Sequence, residues 1–290
     1  MPVKEAKLLE GKVLAQQIQE EIKTEISTFK SKGYPTPRLV SIQTSADSDH
    51  EWYVASQRKL AEKLGIEFIH VPPQDIKTEA DLSNQILQAG EGPSIHGVFV
   101  TMPLPKGFNV DRIILKINPQ RDVEGIHPIN LGLIVLRKAN LIPCTAFAAF
   151  HLIQSTGVAL RGKRAVVIGQ SPIVGRPIQM LLGEERVTTT VCHSGTTYSD
   201  LEKFVSEADI VVACAGQPGI VRGDWIKLGA IVIDIGTTKV NGKQVGDVEF
   251  EVAKTRAAFI TPVPGGVGPL TVTMLMQNLV NAYKWQHGIS

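Results

Sequence analysis

Apolar residues follow two spacings along the first half of the chain, and these predict alternating helices and strands. In GKVLAQQIQEEIKTEISTFKSKG they recur every three or four positions, at Val13, Ile18, Ile22 and Ile26, as on one face of a helix. Short β-branched runs predict strands instead. Further predicted helices are YVASQRKLAEKLGI, DLSNQILQAG and a segment around Val110–Ile117; the predicted strands are RLVSIQTS, EFIHVPP and HGVFVTMPLP.

After the helix predicted in PCTAFAAFHLIQSTG, the pattern changes to short runs that are mainly apolar or β-branched. RAVVIG, TTTVCH, DIVVACAG and AIVIDIG are rich in β-branched residues, with helices between them. Such strands belong to a parallel sheet covered on both faces. We therefore predict an α/β protein with two lobes. Residues 1–144 form the first lobe, the C-terminal helix (272–290) packs back on it, and residues 145–271 form the second.

Between these patterns, NPQRDVEGIHPINLG has little periodicity and many turn-forming residues, which predicts a long loop. Long loops in compact domains are often functional.

Composition narrows the class of protein. The net charge of +2 with both signs interspersed gives no electrostatic reason to expect nucleic acid or an anionic membrane as a partner. No apolar run approaches the roughly 20 residues needed to span a bilayer. Cys144, Cys192 and Cys214 show no metal-ligand spacing, so we predict reduced thiols and no metal. The charged N-terminus lacks the apolar core of a signal peptide, and we predict a cytoplasmic location.

The segment RAVVIGQSPIVGRPIQMLL predicts a strand, a glycine turn and a helix. Gly169 ends the strand and Gly175 lies in the first helical turn. A tight turn with little side-chain bulk and a free helix N-terminus suits a pyrophosphate. The spacing is G-x-S-x-x-x-G and not G-x-G-x-x-G. Nucleotide binding is therefore one interpretation, and a purely structural strand–helix turn is the other.

Cofactor choice depends on the end of the next strand, VTTTVCHSG. An NAD-binding lobe often has an acid there, whereas this strand ends in Cys192, His193 and Ser194. The missing acid favours NADP. No arginine follows for a 2′-phosphate, however, and Gln170 is neutral, while Arg176 suits a phosphate ligand and a solvated residue equally. NADP is the preferred prediction and NAD stays open.

Longer motifs add a family resemblance. TPVPGGVGPLTVTML, from Thr261 to Leu275, carries more proline and glycine than a simple connection needs. Together with GQSPIVGRP, RGDWIKLGAIVIDIG, VGDV at Val245–Val248 and PLP at Pro103–Pro105, it resembles the methylenetetrahydrofolate dehydrogenase/cyclohydrolase family over nearly the whole chain. The resemblance implies a Rossmann-type cofactor lobe, folate between the lobes and a homodimer formed through the cofactor lobes.

The implied reaction is oxidation of 5,10-methylenetetrahydrofolate to the methenyl form by NADP or NAD. Bifunctional members then hydrolyse the methenyl form to 10-formyltetrahydrofolate. Carried over position by position, the resemblance implies catalytic roles for Tyr53, Gln57, Thr101 and Glu124. It implies folate contacts from Tyr53, Thr101, Pro103, Glu124, Pro264, Gly265 and Gly266. It implies cofactor contacts from Gly169, Gln170, Ser171, Val174, Gly175, Arg176, Ser194, Thr237 and Thr271.

The first lobe departs from the family pattern at its site. In S-x-x-Y-V-x-x-K the tyrosine is kept as Tyr53, but His50 stands at the serine and Gln57 at the lysine. Thr101 replaces the glutamine before the proline turn, and Glu124 replaces the second aspartate of D-V-D-G. Four of the five aligned site positions are therefore changed.

Glutamine at position 57 removes a titratable group. Lys59 lies about 200° further round the helix, and Arg58 stays protonated, so neither replaces the lysine. A lost proton-handling group typically costs ~10²–10⁴-fold in rate. Hydride transfer needs mainly the positioning of two rings. We therefore predict a dehydrogenase with weak or absent cyclohydrolase activity.

Three other interpretations remain open at this stage. The first is a bifunctional enzyme in which Glu124 or His50 handles the water. The second is a non-catalytic paralogue that binds nucleotide, folate or a partner protein. The third is a dehydrogenase with another substrate. Some residues also have structural alternatives: Tyr53 as a core-edge aromatic, His50 as a cap, Asp122 as a brace of its loop, and Pro264–Gly266 as architecture.

Overall fold

The computed structural model describes residues 5–92 and 94–289, which divide into two compact units. One contains a six-stranded sheet and comprises residues 5–16 and 145–271; it is called the six-stranded unit below. The other contains a three-stranded sheet and comprises residues 17–92, 94–144 and 272–289; it is called the three-stranded unit.

Strands and helices are numbered in chain order. The strands are β1 (Lys7–Leu8), β2 (Arg38–Ile42), β3 (Glu67–Val71), β4 (Gly97–Val100), β5 (Arg164–Ile168), β6 (Thr188–Cys192), β7 (Ile210–Ala213), β8 (Ile231–Asp234), β9 (Thr238–Val240), β10 (Lys243–Val245) and β11 (Phe259–Ile260). The helices are α1 (Gly11–Ser31), α2 (Ser48–Leu64), α3 (Glu79–Glu91), α4 (Val110–Ile114), α5 (Pro128–Val135), α6 (Cys144–Gln154), α7 (Gly175–Glu184), α8 (Tyr198–Glu207), α9 (Phe250–Ala253) and α10 (Val267–His287).

The sheet of the three-stranded unit is parallel, in the order β3-β2-β4. Because side chains alternate along a strand, its two faces differ. Val40 and Val98 point to a face packed by Leu82 and Ile86 of α3 and Ile113 of α4. On the other face, Ser41 of β2 is paired with Phe99 of β4 and His70 of β3.

Local signals explain where α2 begins and ends. Asp47 caps its first turn by accepting bonds from the Asp49 and His50 amides, at 3.1 and 3.0 Å. Gly65 stops the helix in a left-handed conformation, with φ of 77°. These caps fix the position of α2, and therefore of Tyr53 and Gln57, along the chain.

The six strands of the other unit are all parallel, in the order β1-β11-β8-β7-β5-β6. Residues Ile210–Ala213 and Ile231–Asp234 are buried along their whole length, as the continuous apolar runs predicted. Strand β5 has β6 on one side and β7 on the other, so the chain reverses its winding at β5. This is the topological switch of a doubly wound fold.

Two expectations about the elements are corrected. Residues 128–132, predicted as loop, begin helix α5, because Pro128 suits a first helical turn and the Nδ1 atom of His127 accepts a bond from the Ile129 amide at 3.1 Å. Residues 5–16, assigned to the first lobe, belong to the six-stranded unit, because Lys7–Leu8 pairs with Phe259–Ile260.

Smaller differences concern element ends and one unpredicted hairpin. Helix α2 begins at Ser48, before the predicted Tyr53, and β4 ends at Val100, before the proline turn. The β9–β10 hairpin was not predicted. Helix α10 contributes residues 272–287 to the three-stranded unit, which confirms that the C-terminal helix packs back on the first lobe. None of the described helices has the length and apolar character needed to cross a membrane.

Candidate active site

The turn after β5, residues 169–175, is called the glycine turn below. Gly169 has φ of +119°, and a Cβ on it would come within 2.8 Å of the Cys214 carbonyl carbon. A Cβ on Gly175 would come within 2.7 Å of the Gly169 carbonyl carbon. Real Cβ atoms do not tolerate such distances, so both positions require glycine. The G-x-S-x-x-x-G spacing is thus explained by two close backbone approaches.

Helix α7 begins at this turn without a side-chain cap. Ser171 shapes the turn by accepting bonds from the Val174 amide on its hydroxyl and from the Arg176 amide on its carbonyl, both at 3.1 Å. Gln170 and Arg176 are exposed. A helix N-terminus without a side-chain cap, above a glycine cradle, suits a phosphate group, so the residues present fit a dinucleotide.

The other predicted cofactor residues in loops lie at the same edge of the sheet. Ser194 follows β6 and Thr237 follows β8, and the carboxyl ends of parallel strands share one edge. Ligands of doubly wound sheets bind there, at the switch point. Thr271 differs because its hydroxyl donates to the Val267 carbonyl within α10, at 3.3 Å. The Thr271 hydroxyl therefore has a partner inside its own helix, and its cofactor contact stays a prediction.

The PVPGG loop after β11 has an architectural explanation for its glycines. Gly265 has φ of +114°, and its carbonyl accepts a bond from the Gly11 amide at 3.0 Å. A Cβ on Gly266 would lie 2.7 Å from Cβ of Thr261. Pro264 is exposed after a cis peptide bond. The folate contacts predicted for this loop stay predictions.

Tyr53 and Gln57 lie one turn apart on α2 and belong to a buried polar region of the three-stranded unit. Gln57 is fully buried, and its Oε1 accepts a bond from the Ser41 hydroxyl at 2.8 Å. Its Nε2 has no hydrogen-bond partner in the described part of the chain. The Tyr53 ring lies 5.5 Å from Phe99, centroid to centroid. Ser41 was not predicted; its only sequence signal is a polar residue inside an apolar strand.

The two cations near Gln57 in sequence do not replace it in space. Arg58 and Lys59 are both exposed. The Arg58 guanidinium lies 5.6 Å from the centre of the Phe68 ring. Arg58 and Lys59 therefore lie on the solvent-facing side of α2, whereas Gln57 lies on its buried side, as expected for residues one and two positions further along a helix.

The loop that carries Glu124 is braced by Asp122. The buried Asp122 carboxylate accepts bonds from the Gly125 amide at 3.0 Å, the His127 amide at 2.8 Å and the Asn130 side chain at 2.8 Å. These bonds support the structural interpretation of Asp122. Glu124 itself is anchored through its carbonyl, which accepts a bond from the Cys144 amide at 3.2 Å.

Asn278 of α10 fixes the same loop from the other side. Its side-chain amide is fully buried and donates to the carbonyls of Val123 at 2.9 Å and Ile142 at 2.8 Å. These residues precede Glu124 and Cys144. Sequence reasoning missed Asn278, although an asparagine in an otherwise apolar helical stretch is a usable signal.

Burial raises the pKa values of Glu124 and Tyr53. Burial, and then the charge of Asp122, raise the pKa of Glu124 to about 8. Its Oε2 is shielded from solvent and has no partner among the described residues. Burial, and then Glu124 and Cys144, raise the pKa of Tyr53. Ser41, Tyr53, Gln57 and Glu124 are called the polar patch below; all four are neutral at pH 7.

Thr101 and His50 both have structural partners. The Thr101 hydroxyl accepts a bond from the Thr44 amide at 2.9 Å and lies 3.0 Å from the Thr44 hydroxyl. His50 places Nδ1 2.7 Å from the Asp47 carboxylate and Nε2 3.2 Å from the Pro103 carbonyl. Both residues therefore join the ends of β2 and α2 to the proline turn. The roles predicted for Thr101 and Pro103 in binding stay predictions.

Comparison with known proteins decides the family. A model described as "Tetrahydrofolate dehydrogenase/cyclohydrolase, catalytic domain" matches residues 9–124, and its partner, "NAD(P)-binding domain", matches residues 143–287. The chain belongs to the tetrahydrofolate dehydrogenase/cyclohydrolase family. One relative is a bifunctional protein FolD of Aquifex aeolicus, which is 43% identical over 282 residues; the match covers 96% of each chain.

Solved structures agree with this membership. The methylenetetrahydrofolate dehydrogenase-cyclohydrolase of Trypanosoma brucei, complexed with NADP and an inhibitor, is 40% identical with a TM-score of 0.90, covering 98% of this chain and 99% of that one. A 5,10-methylenetetrahydrofolate dehydrogenase of the silkworm Bombyx mori is 35% identical with a TM-score of 0.92, over 98% and 99%.

Family membership confirms several predictions made from the sequence. The chain is an α/β enzyme of folate one-carbon chemistry with a Rossmann-type lobe that uses NADP or NAD. Separately from the family comparison, residues 5–92 and 94–289 contain no cluster of three or more potential metal-binding side chains, and the absence of a metal stays a prediction. The three cysteines are unpaired.

Proposed function

We propose that this enzyme oxidises 5,10-methylenetetrahydrofolate with NAD(P) and hydrolyses the methenyl product weakly or not at all. The observation that carries the proposal is Gln57, a buried amide held by Ser41 at the position where the resembled family has lysine. Residues of the three-stranded unit would bind the folate, and the glycine turn of the six-stranded unit would bind the dinucleotide.

Hydride transfer requires little acid–base chemistry from the polar patch. When bound, NAD(P) accepts the hydride that leaves the methylene carbon of the folate. The chain's own residues then have to hold the substrate and exclude water. Tyr53, a neutral phenol beside Phe99, offers an aromatic face, and the partnerless Nε2 of Gln57 offers a donor. Neutral Glu124 offers both a donor and an acceptor.

Hydrolysis has a different requirement. Water that adds to the methenyl carbon must lose a proton, and a side chain that accepts it has to titrate. Gln57 does not titrate, and Tyr53 and Cys144 have pKa values raised well above neutrality by burial. The hydrolytic step is therefore expected to be slow while hydride transfer proceeds.

Glu124 supports a second candidate function, a bifunctional dehydrogenase/cyclohydrolase. Its pKa of about 8 is near the working pH, which suits a group that exchanges protons, and its Oε2 has no partner in the described residues. In this alternative, the ionised fraction of Glu124 takes the proton of the attacking water, so hydrolysis speeds up as the pH rises towards 8, and Gln57 only binds the substrate.

A spectroscopic assay of the purified protein separates the two candidates. Methylenetetrahydrofolate is supplied with NADP or NAD, and reduced nicotinamide and methenyltetrahydrofolate are followed together. We expect both signals to grow and the methenyl form to accumulate. Gln57→Lys should accelerate methenyl decay by ~10²–10⁴-fold, whereas Gln57→Met, of similar length but uncharged, should not.

Other outcomes of the assay are equally informative. Wild-type hydrolysis at a rate comparable with hydride transfer would overturn the first proposal. If Glu124→Gln then removed hydrolysis but kept hydride transfer, the second candidate would stand. If neither dinucleotide gave reduced nicotinamide, both candidate functions would be contradicted. The result would then favour the non-catalytic paralogue.

The cofactor preference is proposed as NADP over NAD. No acid follows β6, where it would bind a ribose hydroxyl and repel a 2′-phosphate. The turn there is held by the His193 amide, which donates to the Thr196 hydroxyl at 3.0 Å, and leaves Ser194 exposed. A higher kcat/KM with NADP than with NAD in the same assay would support this preference, and the reverse would contradict it.

A homodimer is also proposed, on the family resemblance and on β6 being an edge strand of its sheet. An edge strand presents unpaired backbone groups that a second copy can cover. Light scattering after size-exclusion chromatography should give twice the mass of 31.5 kDa. The cytoplasmic location stays a prediction.

A further inference from the structure

Two buried aspartates of the six-stranded unit take no part in the chemistry described above. Asp234 ends β8, and Asp247 lies in the VGDV segment after the β9–β10 hairpin. Both are buried, with exposed fractions of 3% and 0%. Burying a carboxylate is costly unless it has hydrogen-bond donors, so the partners of these two groups show what they are for.

Asp234 connects the exit of β8 to the VGDV segment. Its Oδ1 accepts bonds from the amides of Gly236 and Asp247, both at 2.9 Å, and its Oδ2 accepts one from the Val248 amide at 2.9 Å. The loop that follows β8 carries Thr237, one of the predicted cofactor contacts. Asp234 therefore fixes that loop and the backbone of Asp247 together.

Asp247 continues the connection to the next loop. Its Oδ2 accepts bonds from the amides of Ala215 at 2.6 Å and Gly216 at 2.9 Å, directly after β7. Its Oδ1 is shielded from solvent and has no partner among the described residues. The Thr238 hydroxyl adds a bond to the Gly216 carbonyl at 3.2 Å. The Asp247 carboxylate therefore holds the loop after β7 in place through two backbone amides.

Close packing leaves these loops little freedom to shift. A Cβ on Gly236 would lie within 2.6 Å of the Asp247 amide nitrogen, and one on Gly246 would lie 2.6 Å from the Asp234 carboxyl carbon. On the far side, the Cys214 carbonyl abuts Gly169 of the glycine turn. A continuous series of contacts therefore runs from β8 through both aspartates and the β7 loop to the turn after β5.

We propose that Asp234 and Asp247 are positioning residues for the nicotinamide dinucleotide, which hold the loop after β7 against the glycine turn. The inference rests on the cofactor site of the proposed function. Their bonds reach the loops after β7 and β8 at the edge where a doubly wound sheet binds its ligand. Three of the amides that donate to these carboxylates, those of Ala215, Gly216 and Gly236, lie in the loops after β7 and β8, and the Asp247 and Val248 amides join the two aspartates to each other.

The test compares Asp247→Ala, which removes both acceptors, with Asp247→Asn, which keeps one acceptor oxygen. A loop displaced by about 1 Å can cost on the order of 10²-fold. We expect Asp247→Ala to raise the KM for the dinucleotide by about 10-fold or more. Asp247→Asn should give an intermediate value and remains informative if the alanine variant does not fold. The KM for methylenetetrahydrofolate should stay unchanged in both.

Asp209→Asn is the matched control at the opposite, amino end of β7. The Asp209 carboxylate also accepts a backbone bond, from the Arg164 amide at 2.9 Å, and pairs with Lys227 at 2.6 Å. Its loss should lower the Tm without changing either KM. A KM that rises for the dinucleotide but not for methylenetetrahydrofolate therefore distinguishes positioning of the cofactor from general stabilisation.

Equilibrium binding of NADP and NAD to the wild type is measured first by quenching of tryptophan fluorescence or by calorimetry. If the wild type binds a dinucleotide but the Asp247 variants lower only the Tm, as Asp209→Asn does, the positioning role is overturned and the proposed function stands. The same conclusion follows if both KM values rise equally. If the wild type binds neither dinucleotide and makes no reduced nicotinamide, both proposals fail.

Discussion

The glycine turn and the polar patch are both candidate binding regions, but they are made from different parts of the chain. The turn is defined by backbone: Gly169 and Gly175 allow two close approaches, and the helix begins without a side-chain cap. The polar patch is defined by side chains whose identity sets the chemistry. A backbone site survives many substitutions around it, whereas one changed side chain can remove a reaction from the patch. Family membership therefore says more about the first region than about the second.

The largest expected effect comes from breaking the backbone region. Gly175→Ala places a methyl group against the Gly169 carbonyl, so the turn has to move. We expect the KM for the dinucleotide to rise by about 10²-fold or more, since a displacement of about 1 Å has effects of this size. Steady-state kinetics with saturating folate measure it.

Gly183→Ala in the same helix is the control for Gly175→Ala. A Cβ there meets nothing within 4 Å, so the variant should keep its cofactor KM. Its stability should rise by roughly 0.5–1 kcal/mol, because alanine favours the helix. Equal kinetics in the two variants would show that the close approach at Gly175 is unimportant.

The second-largest effect is expected from a variant that weakens the support of the loop that carries Glu124, in the polar patch. Asn278→Leu removes the donors to the Val123 and Ile142 carbonyls. The Ile142 carbonyl would lose its donor and the Val123 carbonyl would keep only the Cys144 thiol, at 3.2 Å, which should lower the free energy of unfolding by roughly 2–4 kcal/mol. It should also raise the KM for folate, because Glu124 follows Val123. Urea denaturation and steady-state kinetics provide the two measurements.

Asn281→Leu, one turn further along α10, is the matched control for Asn278→Leu. The Asn281 side chain donates to the exposed Asn140 carbonyl at 3.3 Å and accepts a bond from the Gln277 side chain at 3.2 Å, so its replacement leaves no fully buried group unpaired among the described residues. Its replacement should change stability and folate KM little. A folate KM that stays at the wild-type value in Asn278→Leu would show that α10 stabilises the unit without positioning Glu124.

Glu124, in the polar patch, makes the free energy of unfolding of the protein depend on pH. Its pKa is raised from 4.5 to about 8, so between these values the folded protein binds a proton that the unfolded chain releases. By linkage, the free energy of unfolding falls as the pH rises from about 4.5 to about 8, by at most a few kcal/mol from this group.

Glu124→Gln should remove that contribution, because glutamine does not titrate. Chemical denaturation at several pH values should therefore give a smaller fall for the variant than for the wild type over this window. Identical curves for the two proteins would mean that Glu124 ionises in the fold much as it does in water.

The smallest effect is expected at Ser41. Ser41→Ala leaves the buried Oε1 of Gln57 without its donor, which should cost about 1 kcal/mol. The KM for folate should rise modestly, and that for the dinucleotide should not change. Ser27→Ala, which removes an exposed hydroxyl bonded to the Lys23 carbonyl, is the control and should be neutral. A neutral Ser41→Ala would show that the Gln57 amide needs no fixed orientation.

Some elements could be predicted from the pattern and others could not. The apolar runs of β5, β7 and β8 were predicted correctly as strands, because a strand buried on both faces has few polar positions to confuse the period, and TTTVCH was predicted correctly from its β-branched residues. Helix α5 was missed because Gly132 and turn-forming residues hid a helix whose start depends on Pro128 and on the His127 ring. Strand β1 was missed because its two residues pair only with β11, far along the chain.

The sequence by itself determined the α/β class, the glycine turn and the absence of a titratable side chain at position 57, because these depend on residue identity and local spacing. Only the tertiary structure decided the partners of the polar side chains. It placed Ser41 under Gln57, Asn278 on the Glu124 loop, and Asp234 and Asp247 on the loops beside the glycine turn. Such contacts join residues that are distant in the chain, and no local pattern records a hydrogen bond between them.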